Sequence, residues 1–119
     1  CGPANLWPPA DSFSDAVRFD DLSDALVGAS AVMMLRVQHE RIPSELQMLN
    51  KNDYFSLYGL KRTHLAASPA MLVLHPGPMN RGIEIESEVA DSTQSLVLRQ
   101  VANGMYLRMA VLNWALMSG

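Results

Sequence analysis

Two short apolar runs stand out from the mixed hydrophobic and polar pattern of this chain. Ala70, Met71, Leu72, Val73 and Leu74 are uninterrupted, as in a strand buried on both faces, and Ala31, Val32, Met33, Met34 and Leu35 form a second buried run. Between them the pattern is helical. Asp20 or Asp21 can cap a helix through Leu22, Ala25 and Leu26, with Gly28 to end it. Ser44, after Pro43, can cap a second helical stretch with Glu45 in its first turn. Leu46, Leu49, Phe55 and Leu57 give that stretch partial periodicity; residues 50–53 weaken its middle and Gly59 ends it. Residues 60–67 form a further short helix before Pro69, and residues 87–91 a turn or short helix.

From Ser92 onward Leu96, Val97, Val101, Met105, Arg108, Leu112 and Leu116 recur near the helical period and predict one long helix. Asn103-Gly104 would normally signal a turn, but both flanks are helical in period. Gly104 is therefore read as a mid-helix residue that admits close approach of another element, at a cost of up to about 1 kcal/mol relative to alanine. Residues 1–11, with prolines 3, 8 and 9, read as loop. Residues 13–19 are ambiguous, and a short strand around Val17 is the reading adopted.

Alternating strands and helices imply an α/β fold, a doubly wound parallel sheet with helices on both faces. Such sheets bind ligands outside the carboxyl ends of their strands. The run ending at Leu74 stops at His75-Pro76-Gly77-Pro78, a turn that can neither continue a strand nor enter a helix. Its prolines present carbonyl acceptors without an N–H, and Asn80-Arg81-Gly82 places a cation beside them. Arg36 sits at the carboxyl end of the other run, so the two segments should lie side by side. Arg36, Arg41 and Arg81 together suit a small anion, because the guanidinium fork matches a carboxylate or phosphate. Taken alone, R-x-Q-x-E-R is more often a solvated helix start than an anion site, and the converging strand ends together with the resemblance given below reverse that. His75 suggests a general base by position; a histidine orienting the turn through hydrogen bonds is the preferred reading. His64 has no partner near in sequence and reads as an ordinary surface residue.

The totals narrow the picture. At 119 residues and 13.1 kDa the chain is one domain at most. Apolar residues reach 49%, enough for a core, while only 18% are charged, which suggests surface covered by something else in the working molecule. A net charge of −3 with nine Lys and Arg argues against a nucleic-acid footprint. The single cysteine, Cys1, permits no internal disulfide and fits a reducing cytoplasm. No apolar run approaches a membrane span. Three scattered histidines and one cysteine build no zinc site, and no Ser-His-Asp grouping, P-loop or GxGxxG is present. The opening on Cys1, directly into a Gly-Pro turn, reads as a piece of a longer polypeptide.

Three stretches, in order, resemble the aspartate carbamoyltransferases. They are LRVQHER from Leu35 to Arg41, HPGPMNRGIEI from His75 to Ile85, and QVANGMYLRMAVL from Gln100 to Leu112. The resemblance implies that residues 1–119 are the C-terminal part of the aspartate-binding domain, with the carbamoyl phosphate domain absent from this chain. It implies that Arg36 pairs with the side-chain carboxylate of L-aspartate, that Gln38 touches the same substrate, and that Glu40 holds Arg36 in orientation. Arg41 makes either a salt bridge or a substrate contact. The backbone carbonyls of Pro76 and Gly77 would face the carbamoyl group and the attacking amine, with His75, Arg81 and Glu84 supporting the loop. Residues 52–58 are either a segment that closes over aspartate or ordinary packing.

The implied reaction joins aspartate to carbamoyl phosphate by positioning and charge stabilisation, with no acid or base residue assigned, no metal and no organic cofactor. It belongs to pyrimidine synthesis in the cytoplasm. The S-T-R-T segment that grips phosphate, the carbonyl-polarising histidine motif and the arginine for the α-carboxylate are missing from these residues. Family members also complete each site from a neighbouring subunit of a homotrimer, so the fragment alone should be inactive. Neither nucleic acid nor membrane is expected as a partner, and nothing in the sequence bears on regulatory subunits. The competing reading is a non-catalytic module that binds a dicarboxylate or a protein partner. A sister transferase that uses ornithine would need a cysteine in the turn where this chain has Gly77.

Overall fold

The structure is a computed structural model and describes residues 1–9, 12–37 and 49–117. Its centre is a pair of parallel strands, β1 (Ala31–Met33) and β2 (Leu72–Leu74), with Ala31 opposite Leu72, Val32 opposite Val73 and Met33 opposite Leu74. The ladder runs on at both ends, through Leu72 N–H to Ser30 O at 3.0 Å and Met34 N–H to Leu74 O at 2.9 Å. On its other side β2 accepts the chain again. Val73 N–H donates to Gln94 O at 2.9 Å and Leu96 N–H to Val73 O at 2.8 Å, a parallel bridge between Val73 and Ser95.

Among the described residues the α-helices are α1 (Leu22–Leu26), α2 (Lys51–Tyr58), α3 (Arg62–Ala67), α4 (Ser87–Ala90) and α5 (Val97–Met117). Asp21 caps α1, its carboxylate accepting from Ser23 N–H at 2.7 Å and Asp24 N–H at 3.2 Å. Leu60 and Ile85 form a second parallel bridge below the sheet, flanked by Leu60 N–H to Glu84 O at 3.0 Å and Glu86 N–H to Leu60 O at 2.9 Å. The core gathers there. Leu22 and Leu26 from α1, Leu65 from α3, Val89 from α4, and Leu60, Met71, Val73 and Ile85 close on one another. This is an α/β fold, a parallel sheet with helices and a long C-terminal helix.

Several expectations change in detail. Burial on both faces holds only for alternate strand residues. Met71 and Val73 are buried, whereas Leu72, Met33 and Leu35 are 42%, 53% and 63% exposed. The cause is the two-residue period of a strand: in a short sheet with one face packed, every second side chain points away from the core. Residues 13–19 form a turn and irregular chain rather than a strand, and Val17 is 77% exposed with no neighbouring strand among the described residues to pair with. The helix start at Ser44 lies outside the described residues.

Within the described part, residues 50–53 do not weaken a helix; they begin one. Asn50 caps α2 by accepting from Asp53 N–H at 2.9 Å and donating to the Asp53 carboxylate at 2.7 Å. The segment considered as a closing loop is therefore largely helix, ended by Gly59, whose position would put any Cβ 2.6 Å from Phe55 O. The long helix begins at Val97, not Ser92, because residues 94–96 first pair with β2. Among the described residues no element approaches Gly104 closely: within 4 Å a Cβ there would meet Arg108 Nη1, at 3.9 Å. His64 has a partner after all. Its Nδ1 accepts from Lys61 N–H at 3.0 Å and, with Glu86 Oε2 accepting from Arg62 N–H at 2.7 Å, satisfies the start of α3.

Candidate functional site

Because β1 and β2 are parallel and in register, the chain leaves both strands at the same edge of the sheet. Arg36 follows β1 by three residues and is exposed there, and His75-Pro76-Gly77-Pro78 follows β2 directly. A hydrogen bond from Asn80 Nδ2 to Val37 O, 3.3 Å, ties the two segments together across that edge. Gln38, Glu40 and Arg41 lie outside the described residues.

The turn after β2 is built around a buried side-chain pair. His75 and Glu84 are both fully buried, with His75 Nε2 3.3 Å from Glu84 Oε1. Gly77 N–H donates to His75 Nδ1 at 2.9 Å, so that nitrogen carries no proton and Nε2 is the protonated one. The pair is a neutral imidazole donating to a carboxylate. Asn80 N–H also donates to Glu84 Oε1, while among the described residues Glu84 Oε2 is buried without a hydrogen-bond partner. The loop is thus folded around one carboxylate oxygen. Gly77 takes φ +68°, the left-handed region that favours glycine, and its peptide bond to Pro78 is cis.

Arg81 points away from this centre. Its guanidinium grips Asp91 with both arms, at 2.6 and 2.7 Å, and donates to Ser87 O at 3.2 Å. The pairing holds the Asp91 carboxyl below the ordinary carboxylate range and raises Arg81. Arg81 is therefore committed to the neighbouring turn at α4. Burial raises the Tyr54 phenol, and the negative charge of Glu84 adds to that shift, which places α2 in the electrostatic surroundings of the loop.

Two contacts come from a helix that sequence reasoning did not connect to the site. His75 N–H donates to Gln100 Oε1 at 2.8 Å, and Val101 sits against Gly77. The link is the return of the chain to β2 at residues 94–96, which sets the first turn of α5 beside the turn after β2 and which no periodicity in the sequence marks. Between that helix and Pro76 lies a groove of about 670 Å³, to which Arg99 and Arg108 contribute cations and Leu74 and Leu107 apolar walls. No group of three or more metal-ligating side chains occurs among the described residues, and none of their helices is long and apolar enough to cross a membrane.

Chemically, the edge offers an exposed arginine and a loop braced by hydrogen bonds among its own inward-facing polar groups. Such an edge can hold an anionic small molecule against fixed backbone acceptors.

The fold is shared with known proteins. The aspartate carbamoyltransferase catalytic subunit of Xanthomonas campestris pv. campestris (strain B100) is 52% identical over 113 residues, covering 94% of this chain and 36% of the relative. That of Stenotrophomonas maltophilia (strain K279a) is 49% identical over 113 residues, covering 94% and 35%. Among solved structures, the catalytic subunit of M. jannaschii aspartate transcarbamoylase superposes with a TM-score of 0.72 at 25% identity, over 98% of this chain and 40% of that one. The Trypanosoma cruzi aspartate transcarbamoylase in complex with phosphate shares the fold, with a TM-score of 0.73 at 22% identity, over 93% and 38%. The chain thus spans about a third of the length of these curated relatives. The family model for the aspartate/ornithine carbamoyltransferase Asp/Orn binding domain matches residues 10–115, and with nearly all of its length inside that match the chain belongs to this family.

Proposed function

We propose that this chain is the aspartate-binding part of an aspartate carbamoyltransferase catalytic chain. In this reading residues 1–119 form the C-terminal part of the aspartate-binding domain, and the carbamoyl phosphate domain is not among them. The observation that carries the reading is the register of β1 on β2, which sets Arg36 and the His75–Pro78 turn at one sheet edge. The curated relatives named above, about half identical over this span, are aspartate carbamoyltransferase catalytic subunits.

The reaction joins L-aspartate to carbamoyl phosphate, as a step toward pyrimidines in the cytoplasm. The aspartate amine attacks the carbonyl carbon, a C–N bond forms, the bond to the phosphate oxygen breaks, and phosphate leaves with its electron pair while the amine gives up a proton. Arg36 holds the side-chain carboxylate of aspartate through its paired N–H groups, Gln38 assists, and Glu40 steadies Arg36. Arg41 makes a salt bridge or a substrate contact. The carbonyls of Pro76 and Gly77 fix the carbamoyl group and the amine in reacting contact, supported by His75, Glu84 and Arg81. In this reading the grip on phosphate comes from a carbamoyl phosphate domain of the full-length chain and from a neighbouring subunit of a homotrimer.

The test is carbamoyl aspartate formation by the full-length polypeptide that carries this chain, with Arg36→Ala beside it. Turnover that falls by about 10²-fold or more in the variant supports the reading. A folded full-length protein without turnover sinks it in favour of a binding module.

A further inference from the structure

Resting on the reading just given, we propose that the first turn of α5, through Gln100 and Val101, is a positioning element for the Pro76–Gly77 carbonyls. Two adjacent helix residues reach the same turn by different means. Gln100 Oε1 accepts the backbone N–H of His75 at 2.8 Å, fixing the peptide at the exit of β2. Val101 closes on the turn one residue pair further along, where a Cβ at Gly77 would stand 3.3 Å from Val101 Cγ2. A side chain at position 77 is thus opposed twice, by the backbone at φ +68° and by Val101.

The helix itself is seated on the described core at this end. Leu96 N–H bonds to Val73 O at 2.8 Å and Gln100 N–H to Leu96 O at 2.8 Å, a continuous path from β2 into the turn that carries Gln100. Val97 is the buried residue of α5, at 3% exposure, so the site end of the helix is seated and the remainder stands clear of the described core. From inside the turn, Gly77 N–H is held by His75 Nδ1 and His75 Nε2–H by Glu84. Inner and outer contacts together leave the Pro76–Gly77 peptide one orientation. Gln100 and Val101 touch no reacting atom; they act through the turn.

The test uses the full-length polypeptide with Gln100→Leu, which removes the acceptor, Gln100→Glu, which keeps one, and Val101→Ala. In Gln100→Leu kcat should fall about 10-fold or more while KM for aspartate stays within about twofold, because the turn and not Arg36 is disturbed. Gln100→Glu should recover most of that loss. Val101→Ala should lower kcat by a smaller factor. The backbone amide resonances of His75 and Gly77 should move in Gln100→Leu and return toward their original positions in Gln100→Glu.

Unmoved amides in Gln100→Leu overturn the proposal, whatever the reaction proves to be. So does a loss that is equal in the Leu and Glu variants, or one that falls on KM alone. Shifted amides in a protein whose unmutated form makes no carbamoyl aspartate overturn the parent reading instead, and the two failures are told apart by that assay.

Discussion

His75 and Glu84 meet inside the protein with Nε2 3.3 Å from Oε1, both side chains at zero exposure. The imidazole is neutral, because its other nitrogen accepts the Gly77 N–H. Both ring nitrogens are occupied within the loop. A histidine placed so suggestively beside the strand end is engaged in holding the backbone, and the carboxylate beneath it is the hub that two donors share.

That hub should be costly to remove. Glu84→Leu leaves the buried His75 Nε2–H and the half-buried Asn80 N–H without an acceptor, and an orphaned buried donor costs roughly 1–3 kcal/mol. Glu84→Gln keeps Oε1 and should cost appreciably less, since Oε2 has no hydrogen-bond partner among the described residues to lose. Denaturant unfolding of the two variants checks the order. Equal losses would mean that the negative charge, and not the acceptor, holds the loop.

Gly77 should resist even a methyl group. Gly77→Ala adds about 1–2 kcal/mol of left-handed backbone strain to the close contact with Val101. Combining it with Val101→Ala should relieve the contact and leave the strain, so the double variant should be less destabilised than the two single losses added together. A cycle that adds exactly within error would show that Val101 does not confine this position.

Much of this arrangement was legible in the residues. The apolar runs announced β1 and β2, and the rule that ligands gather at carboxyl strand ends put Arg36 beside the proline turn before any coordinates did. What failed was local. Asn50 weakens a helix in composition but starts one by capping, a difference that depends on whether its side chain meets Asp53 N–H. Val17 has the character of a strand residue, yet a strand needs a neighbour and the described chain supplies none there. Gln100 lay inside a quoted helix segment; its bond to His75 N–H depends on a return to β2 through residues 94–96 that no periodicity marks.

His64 predicts an acid sensitivity at α3. Burial lowers its pKa below the ordinary 6.5, and Lys61 lowers it further. The unfolded chain then binds the proton more readily than the folded one, so stability rises with pH across the interval between the two values. The contribution is complete above about 6.5 and is lost as pH falls through the lower folded value. Protonation at Nδ1 would also end its acceptance of Lys61 N–H. His64→Gln keeps an acceptor at the same helix position without a titrating group. Between pH 7.5 and 5, the unfolding midpoint should drop more steeply in the parent than in the variant; parallel slopes would assign the acid loss to other groups.

The long helix should answer mutation differently from the core it springs from. Leu112 on α5 is 63% exposed and Leu116 83%, although both belong to an apolar stripe that also takes in Val101, Met105 and Met109. Exposed side chains stabilise little, so Leu112→Gln should change unfolding free energy of the 119-residue chain by no more than about 0.5 kcal/mol. Leu60→Ala empties a position at zero exposure between α3 and the Ile85 bridge and should cost about 2–5 kcal/mol. Denaturant titration of the two variants at one protein concentration measures the contrast. A loss at Leu112 comparable to that at Leu60 would mean that α5 is packed in solution, and repeating the titration across a range of concentrations would show whether a second copy does the packing.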